Sequence, residues 1–209
     1  MSGTGPRDGR GGNVVDMPFP APPRTAAWAH EDARAGFEVV YFEPLHHGHV
    51  VTGCTTAVES GQTWIVDYTI RVDADWRTQG ADEQGRSGAG AIALALQTDG
   101  DGRWQVNGVP APYLDGCLDV DLESSAMTNA LPVHRLALEP GERAAAPAAY
   151  VRAVGLNVER LEQIYVRTDD DGPRHRYDYV APAFDFSCQL VYDAAGLVLT
   201  YPGIARRAG

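Results

Sequence analysis

Along most of the chain, apolar and polar residues alternate one for one. Between residues 62 and 73, Trp64, Val66, Tyr68, Ile70 and Val72 alternate with Asp67, Thr69, Arg71 and Asp73. Phe37, Val39 and Tyr41 alternate with Glu38, Val40 and Phe42, and Leu118, Val120 and Leu122 with Cys117, Asp119 and Asp121. Ile92, Leu94 and Leu96 continue the theme, as do segments 133–138, 158–167, 175–180, 184–193 and 197–201. Successive side chains of a strand point to opposite faces, so this period of two predicts half-buried strands.

Turn chemistry separates them. Asp99-Gly100-Asp101-Gly102, Glu139-Pro140-Gly141-Glu142, Asp169-Asp170-Asp171-Gly172-Pro173 and Asp193-Ala194-Ala195-Gly196 each fall between two such runs. Many short strands with close turns predict an all-β fold, a single antiparallel curved sheet forming a roll or half-barrel with few short helices. A short helix is expected over residues 28–35. The polar run 78–87 reads as a mobile loop. Residues 1–26, rich in Gly, Pro and Arg, are expected to be a disordered tail, leaving one domain over 27–209.

Composition narrows the partners. A chain of 209 residues can bury a sizeable core as one domain. A formal net charge of -11 repels phosphate backbones and anionic headgroups, so nucleic acid and anionic membrane surfaces are not expected partners. No run of about 18 apolar residues occurs, so no membrane span is expected. Cys54, Cys117 and Cys188 are scattered and odd in number, which suits a reducing compartment better than a disulfide framework. With no secretory pattern at residues 1–12, a cytoplasmic location is expected.

The densest polar constellation is residues 114–122 followed by 128–136. In a strand Asp119 and Asp121 share a face with Cys117, about 7 Å apart for a rise of about 3.3 Å per residue. Two carboxylates facing a partly dry space repel unless cations balance them. Arg71 and Arg135, both on predicted strands, are the candidate partners, because a guanidinium grips a carboxylate with two hydrogen bonds. Three roles fit: an ion-pair network that only orders the sheet; a polar floor for ligand hydroxyls, with Asn129 contributing; and acid–base catalysis by Asp119 or Asp121, with His134 as a titratable neighbour.

A second cluster is Asp73-Ala74-Asp75-Trp76-Arg77. Trp76 offers a stacking wall and Arg77 a cation near a headgroup, or simply a core-edge ring beside a solvated arginine. Tyr165, Tyr177, Tyr179, Tyr192 and Tyr201 add amphipathic rings that line a cavity or fill the core, the first three being the candidate ligand contacts. His46, His47 and His49 invite a metal, but nothing nearby completes a ligand set, so no metal is expected. Gly88-Ala89-Gly90-Ala91-Ile92-Ala93 spells a dinucleotide fingerprint without the strand before it and helix after it. No cofactor is expected.

The landmarks 73–77, Asp101-Gly102-Arg103-Trp104, 114–122, Thr128-Asn129-Ala130-Leu131-Pro132-Val133-His134-Arg135-Leu136, Glu162-Gln163-Ile164-Tyr165 and 196–203 occur in an order that resembles the bacterial putative glycolipid-binding family, over residues 28–207. His134 stands where the family pattern has an arginine. The resemblance implies a β-rich half-barrel similar to periplasmic lipoprotein carriers. It also implies a pocket for an amphipathic small molecule, glycolipid-like or polyketide-like, with an Asp/Arg/Asn mouth. The alternative is a cofactor-independent cytoplasmic enzyme, such as a cyclase, isomerase or hydrolase of a secondary metabolite, using the same cavity. A protein with no small-molecule site would instead show a solid interior and a flat apolar patch.

Overall fold

A computed structural model describes residues 19–209. Its strands are β1 (Thr25–His30), β2 (Ala35–Leu45), β3 (Gly48–Glu59), β4 (Gln62–Val72), β5 (Thr78–Ser87), β6 (Gly90–Thr98), β7 (Trp104–Val106), β8 (Val109–Pro110) and β9 (Asp119–Leu122). A short helix, α1 (Ala130–Leu136), follows. Then come β10 (Arg143–Ala145), β11 (Ala148–Val151), β12 (Val158–Leu161), β13 (Ile164–Arg167), β14 (His175–Ala181), β15 (Phe186–Tyr192), β16 (Val198–Tyr201) and β17 (Ala205–Arg207).

Among the described residues, fourteen strands form one antiparallel sheet that does not close, in the order β10-β13-β14-β15-β16-β17-β1-β2-β3-β4-β5-β6-β7-β8. Both edges are short, and Pro110 on β8 lacks an amide donor, which discourages pairing with another chain. A second sheet, β12-β11-β9, pairs β9 with β11 in parallel. Its buried side chains, with those of α1, join both core clusters of the large sheet.

The alternation in β4 holds as expected: Trp64, Val66, Tyr68, Ile70 and Val72 are all buried. In β2 the inward set is Glu38, Val40 and Phe42, while Phe37 and Tyr41 face solvent, so a carboxylate enters the core. Asp99–Gly102 joins β6 to β7, Asp169–Pro173 joins β13 to β14, and Asp193–Gly196 joins β15 to β16. Glu139–Glu142 instead follows a helix. Asn107 and Gly108, at φ 51° and 77°, make a further tight turn between β7 and β8, the conformation that Asn-Gly adopts readily.

Four expectations are corrected. Residues 28–35 are not helical: Ala26 and Trp28 point inward with period two, and Trp28 Nε1 donates to Val198 O at 2.7 Å. The run 78–87 is not a loop but β5, a central strand. Ala81, Glu83 and Gly85 are buried, and Asp82, Gln84 and Arg86 are exposed. Its composition is poor for a strand, so pairing on both sides must hold it. Residues 133–138 contribute to α1 rather than a strand. Pro132 sits in the helix's first turn, where a missing amide costs little, and burial of Ala130–His134 erases any amphipathic stripe. The tail ends earlier than residue 26. Phe19 is buried against His134 and His175, with ring centroids 4.7 and 5.2 Å away, and Thr25 opens β1. The rest of that tail, residues 1–18, lies outside the described residues.

Candidate functional site

Two hollows flank the constellation read from the sequence. The first, of about 320 Å³, lies between β14–β16 and the segment that runs from Asp121 through Asn129. Tyr179 and Ala181 (β14), Phe186 (β15) and Tyr201 (β16) give it an aromatic wall, with Tyr150 (β11) and Phe184 alongside. Asp121, Glu123, Ser125 and Asn129 give the opposite wall. Arg34, Glu59 and Arg152 add charged side chains, and Leu122, Leu161 and Ile204 add aliphatic surface.

Asp121 is the inner carboxylate. It accepts hydrogen bonds from Thr128 Oγ1 at 2.9 Å and Gln163 Nε2 at 2.5 Å. Gln163 Nε2 also donates to Tyr179 Oη at 3.0 Å, which ties the acid to the aromatic wall. Burial pushes the Asp121 pKa up to about 6, against the pull of those two donors. Asn129 Oδ1 accepts from Tyr165 Oη at 3.1 Å, and its carbonyl from Tyr192 Oη at 3.2 Å. Glu123 Oε2 accepts the Ala153 amide at 2.8 Å, and Arg152 Nη1 stands 3.5 Å from Oε1. The Arg152 guanidinium lies over Tyr150 and Phe184, 5.1 and 5.0 Å from their centroids.

The polar wall is fixed from beneath by Glu38. This wholly buried carboxylate accepts from Tyr68 Oη at 2.6 Å, Ser125 Oγ at 2.5 Å and the Ala126 amide at 2.8 Å. Tyr68 reaches it from β4 by lying across Gly53 of β3. A carboxylate satisfied by several donors substitutes for water and pins the chain entering the 3₁₀ turn Met127–Asn129.

Asp119 does not line either hollow. It is 1% exposed and takes a bidentate grip from Arg135, Nε at 2.9 Å and Nη2 at 2.6 Å. Burial raises its pKa and the guanidinium pulls it back. Asp119 and Asp121 therefore occupy different surroundings, one paired with a cation and one with neutral donors. The Asp119–Arg135 pairing is as the sequence suggested, but Arg135 reaches it from α1. Arg71 is elsewhere: its Nη1 donates to the exposed Asp82 at 2.8 Å.

The second hollow, of about 310 Å³, is lined by Asp75, Trp76, Arg77, Leu118, His134 and Arg135. Trp76 is 3% exposed and held at φ 62° between His134 and His49, with ring centroids at 3.8 and 4.9 Å. Its faces are occupied by protein, so it offers no free stacking wall. Burial lowers the His134 pKa to about 3, which leaves the imidazole neutral and a weak base. His134 does not meet Asp121's hollow. Asp73 caps its own turn, accepting from the Asp75 and Arg77 amides at 2.9 Å each and from Gln79 Nε2 at 3.0 Å. Arg77 Nη1 stands 3.9 Å from Asp101 Oδ1. Tyr165 and Tyr177 are core rings, packed edge to face at 6.4 Å.

Of the residues proposed from sequence, Asp121, Asn129 and Tyr179 meet in the first hollow, and Trp76, Arg77, His134 and Arg135 in the second. Sequence reading missed Arg34, Glu59, Glu123, Ser125, Tyr150, Arg152, Phe184 and Phe186. Glu123 continues the i, i+2 row of Asp119 and Asp121 and was findable. Phe186 falls within the alternating run 184–193 and Tyr150 within the short strand β11, whereas Arg34, Glu59, Ser125, Arg152 and Phe184 come from turns and strand ends. Among the described residues, no group of three or more His, Cys, Asp or Glu side chains is placed to hold a metal, and no helix is long and apolar enough to cross a membrane.

An open antiparallel half-barrel with a second small sheet and a polar–aromatic hollow beside it defines a β-barrel-like class. Within it, the chain belongs to the Putative glycolipid-binding family, whose model matches residues 25–207. It is similar to a DUF1089 family protein from Pseudomonas aeruginosa, at 33% identity over 82% of this chain and 92% of the other, with a TM-score of 0.70. A beta-barrel-like protein of DUF1849 from Brucella abortus shares the fold at 10% identity and a TM-score of 0.53, over 90% of this chain and 95% of the other. No curated protein sequence matches the chain.

Proposed function

We propose that the first hollow binds the polar head of an amphipathic, glycolipid-like small molecule. One observation carries this reading. A space of about 320 Å³, within the roughly 300–1,000 Å³ of small-molecule sites, sets hydrogen-bonding groups opposite aromatic rings. Asp121, Glu123, Ser125 and Asn129 offer directed acceptors and donors suited to a row of hydroxyls. Tyr179, Phe186 and Tyr201 offer apolar surface to the ring faces or to the first carbons of a tail. Apolar burial contributes about 25 cal/mol per Å², so the aromatic wall supplies affinity and the polar wall orientation. Native mass spectrometry of protein purified from its own host, then calorimetry with alkyl glycosides, tests it. A retained amphiphile and binding weakened by Tyr201→Ala are expected. Protein that emerges without ligand and shows no heat with any alkyl glycoside refutes the reading.

A second reading rests on Asp121 itself. A pocket carboxylate raised to about 6 is suited to general acid–base work at neutral pH, without a cofactor. Turnover of any ligand found, lost in Asp121→Asn, would move the protein into that class. Cytoplasmic residence belongs to the same proposal, supported by three unpaired thiols, and cell fractionation checks it.

A further inference from the structure

The charges around the first hollow do not cancel. Arg34 Nε lies 3.9 Å from Glu59 Oε2, and Arg152 Nη1 lies 3.5 Å from Glu123 Oε1. Arg152 is bound a second time, Nε to Glu159 Oε1 at 2.6 Å. Each cation of the lining thus has a carboxylate within 4 Å, and Arg34 Nη1 also donates to the Glu123 carbonyl at 3.0 Å. Asp121 is the remaining acid of the lining, and among the described residues its hydrogen-bond donors are the neutral Thr128 Oγ1 and Gln163 Nε2. A carboxylate taken out of water without a counter-charge is costly, and a ligand that brings a positive charge removes that cost.

The aromatic wall points the same way. Aromatic faces carry negative quadrupole and attract cations within about 6 Å of the ring centroid. Half of this wall already serves a cation, since Tyr150 and Phe184 carry the Arg152 guanidinium at 5.1 and 5.0 Å. The other half carries no cation among the described residues. There Tyr179, Phe186 and Tyr201 form a triangle with centroid separations of 6.3, 6.1 and 6.1 Å. Gln163 bridges Asp121 to Tyr179, so the carboxylate and the triangle address one space. The chain's net charge of -11 favours the approach of cations over anions.

We propose that the ligand of this hollow carries a protonated amine, seated on Asp121 and against Tyr179, Phe186 and Tyr201, as in an amino-sugar amphiphile. This rests on the binding function proposed above and names its ligand class. An anionic head is disfavoured by the same uncancelled charge, and a neutral sugar would leave it uncompensated.

The test uses two amphiphiles that differ at one group, n-octyl β-D-glucoside and its 2-amino-2-deoxy analogue, with n-octylamine as a sugar-free amine. Titration calorimetry with the full chain at neutral pH and low salt is expected to show the amino sugar binding at least about tenfold tighter than the glucoside. In Asp121→Asn that ratio is expected to fall to about one. Octylamine matching the amino sugar would assign the recognition to any amphiphilic amine, and weaker binding would assign it to the amino sugar; both keep the amine. Equal affinities in the native protein, or an unchanged ratio in the variant, overturn the inference while leaving a sugar-binding function intact. Failure of all three ligands overturns both. A readout on the unmodified protein covers a variant that does not fold. The chain contains no lysine, all 17 basic residues being arginine, so no side-chain amine competes in carbodiimide coupling. Octylamine coupled this way is expected on Asp121 by peptide mapping, and adducts confined to surface carboxylates count against the site.

Discussion

Replacing Gly53 by alanine perturbs the network beneath the polar wall with a single methyl group. Gly53 on β3 stands opposite Tyr68 on β4, and the tyrosine ring lies flat over it. A Cβ built at residue 53 falls 2.2 Å from Tyr68 Cζ and 2.3 Å from its Oη. The ring cannot swing aside cheaply. It is 3% exposed, and its hydroxyl is held 2.6 Å from Glu38 Oε1 and 3.1 Å from Ser125 Oγ. Overpacking of this kind costs about 1–3 kcal/mol. Loss of a hydrogen bond to a buried carboxylate adds about 1.5–3 kcal/mol. Gly53→Ala is therefore expected to destabilise the fold by about 3–5 kcal/mol, read as the shift in urea denaturation followed by circular dichroism. In a Tyr68→Ala background the same substitution meets no ring and should cost less than about 1 kcal/mol, so the coupling in the cycle is large. An equal cost in both backgrounds refutes the reasoning, because the clash would then not be with Tyr68. So would a cost under about 1 kcal/mol with Tyr68 in place.

Arg135→Met strands the buried Asp119 and should destabilise by about 3–5 kcal/mol, whereas Arg71→Met breaks an exposed pair and should change stability by no more than about 1 kcal/mol; thermal melts of the two variants separate the roles that sequence left alike. Glu83 on β5 is buried with one carboxylate oxygen unpartnered, and burial raises its pKa to about 8. The folded state holds this proton more tightly than the unfolded chain, so stability falls as pH rises from about 4.5 to about 8. Glu83→Gln should flatten that decline in a pH series of melts, and an unchanged slope would count against it. Asp121 follows the same sign in a lower window, its stability contribution fading as pH rises from 3.8 to about 6. Asp121→Asn should gain on the order of 3 kcal/mol above pH 6 and nothing below pH 4.

How much was legible follows from which physics speaks locally. Strands with one wet face announce themselves, as β4 does, because the inner set is apolar and the outer set polar. The strand β5 was hidden because its inward positions are Ala81, Glu83 and Gly85, residues that fill little space and lack strand preference. Helix α1 was hidden for the opposite reason: five consecutive residues are buried, so no stripe exists to show a period of 3.6. Asp121 was readable because polar residues in a strand-like row demand partners, and Asn129 because it stands in the polar run that follows that row. Arg34, Phe184 and Arg152 were not. They reach the hollow from turns and strand ends, and their convergence is decided by how the sheet curves, which no local pattern records.

The interior of this half-barrel bears on what kind of binder the chain can be. The space inside the curved sheet is taken up by the small sheet and α1, whose buried residues Val120, Leu122, Leu131, Val133 and Ala149 belong to the two core clusters. What remains beside Asp121 is about 320 Å³, at the small end of ligand sites. On the proposed reading this space suits a headgroup, and the tail must run outward past Phe184, which is 41% exposed at the rim. Swallowing a whole lipid would mean moving the segment from Ser125 to Leu136. That segment is tied down by the donors on Glu38 and by the Asp119–Arg135 pair. Exposing either buried carboxylate from its partners costs several kcal/mol, so the closed arrangement dominates unless a ligand offers more than that in the open one. On the proposed reading, the Asp119–Arg135 pair and the donors to Glu38 are the clamp that keeps the hollow small, Asp121 and Asn129 remain on its wall, and selection by the head rather than by the tail follows.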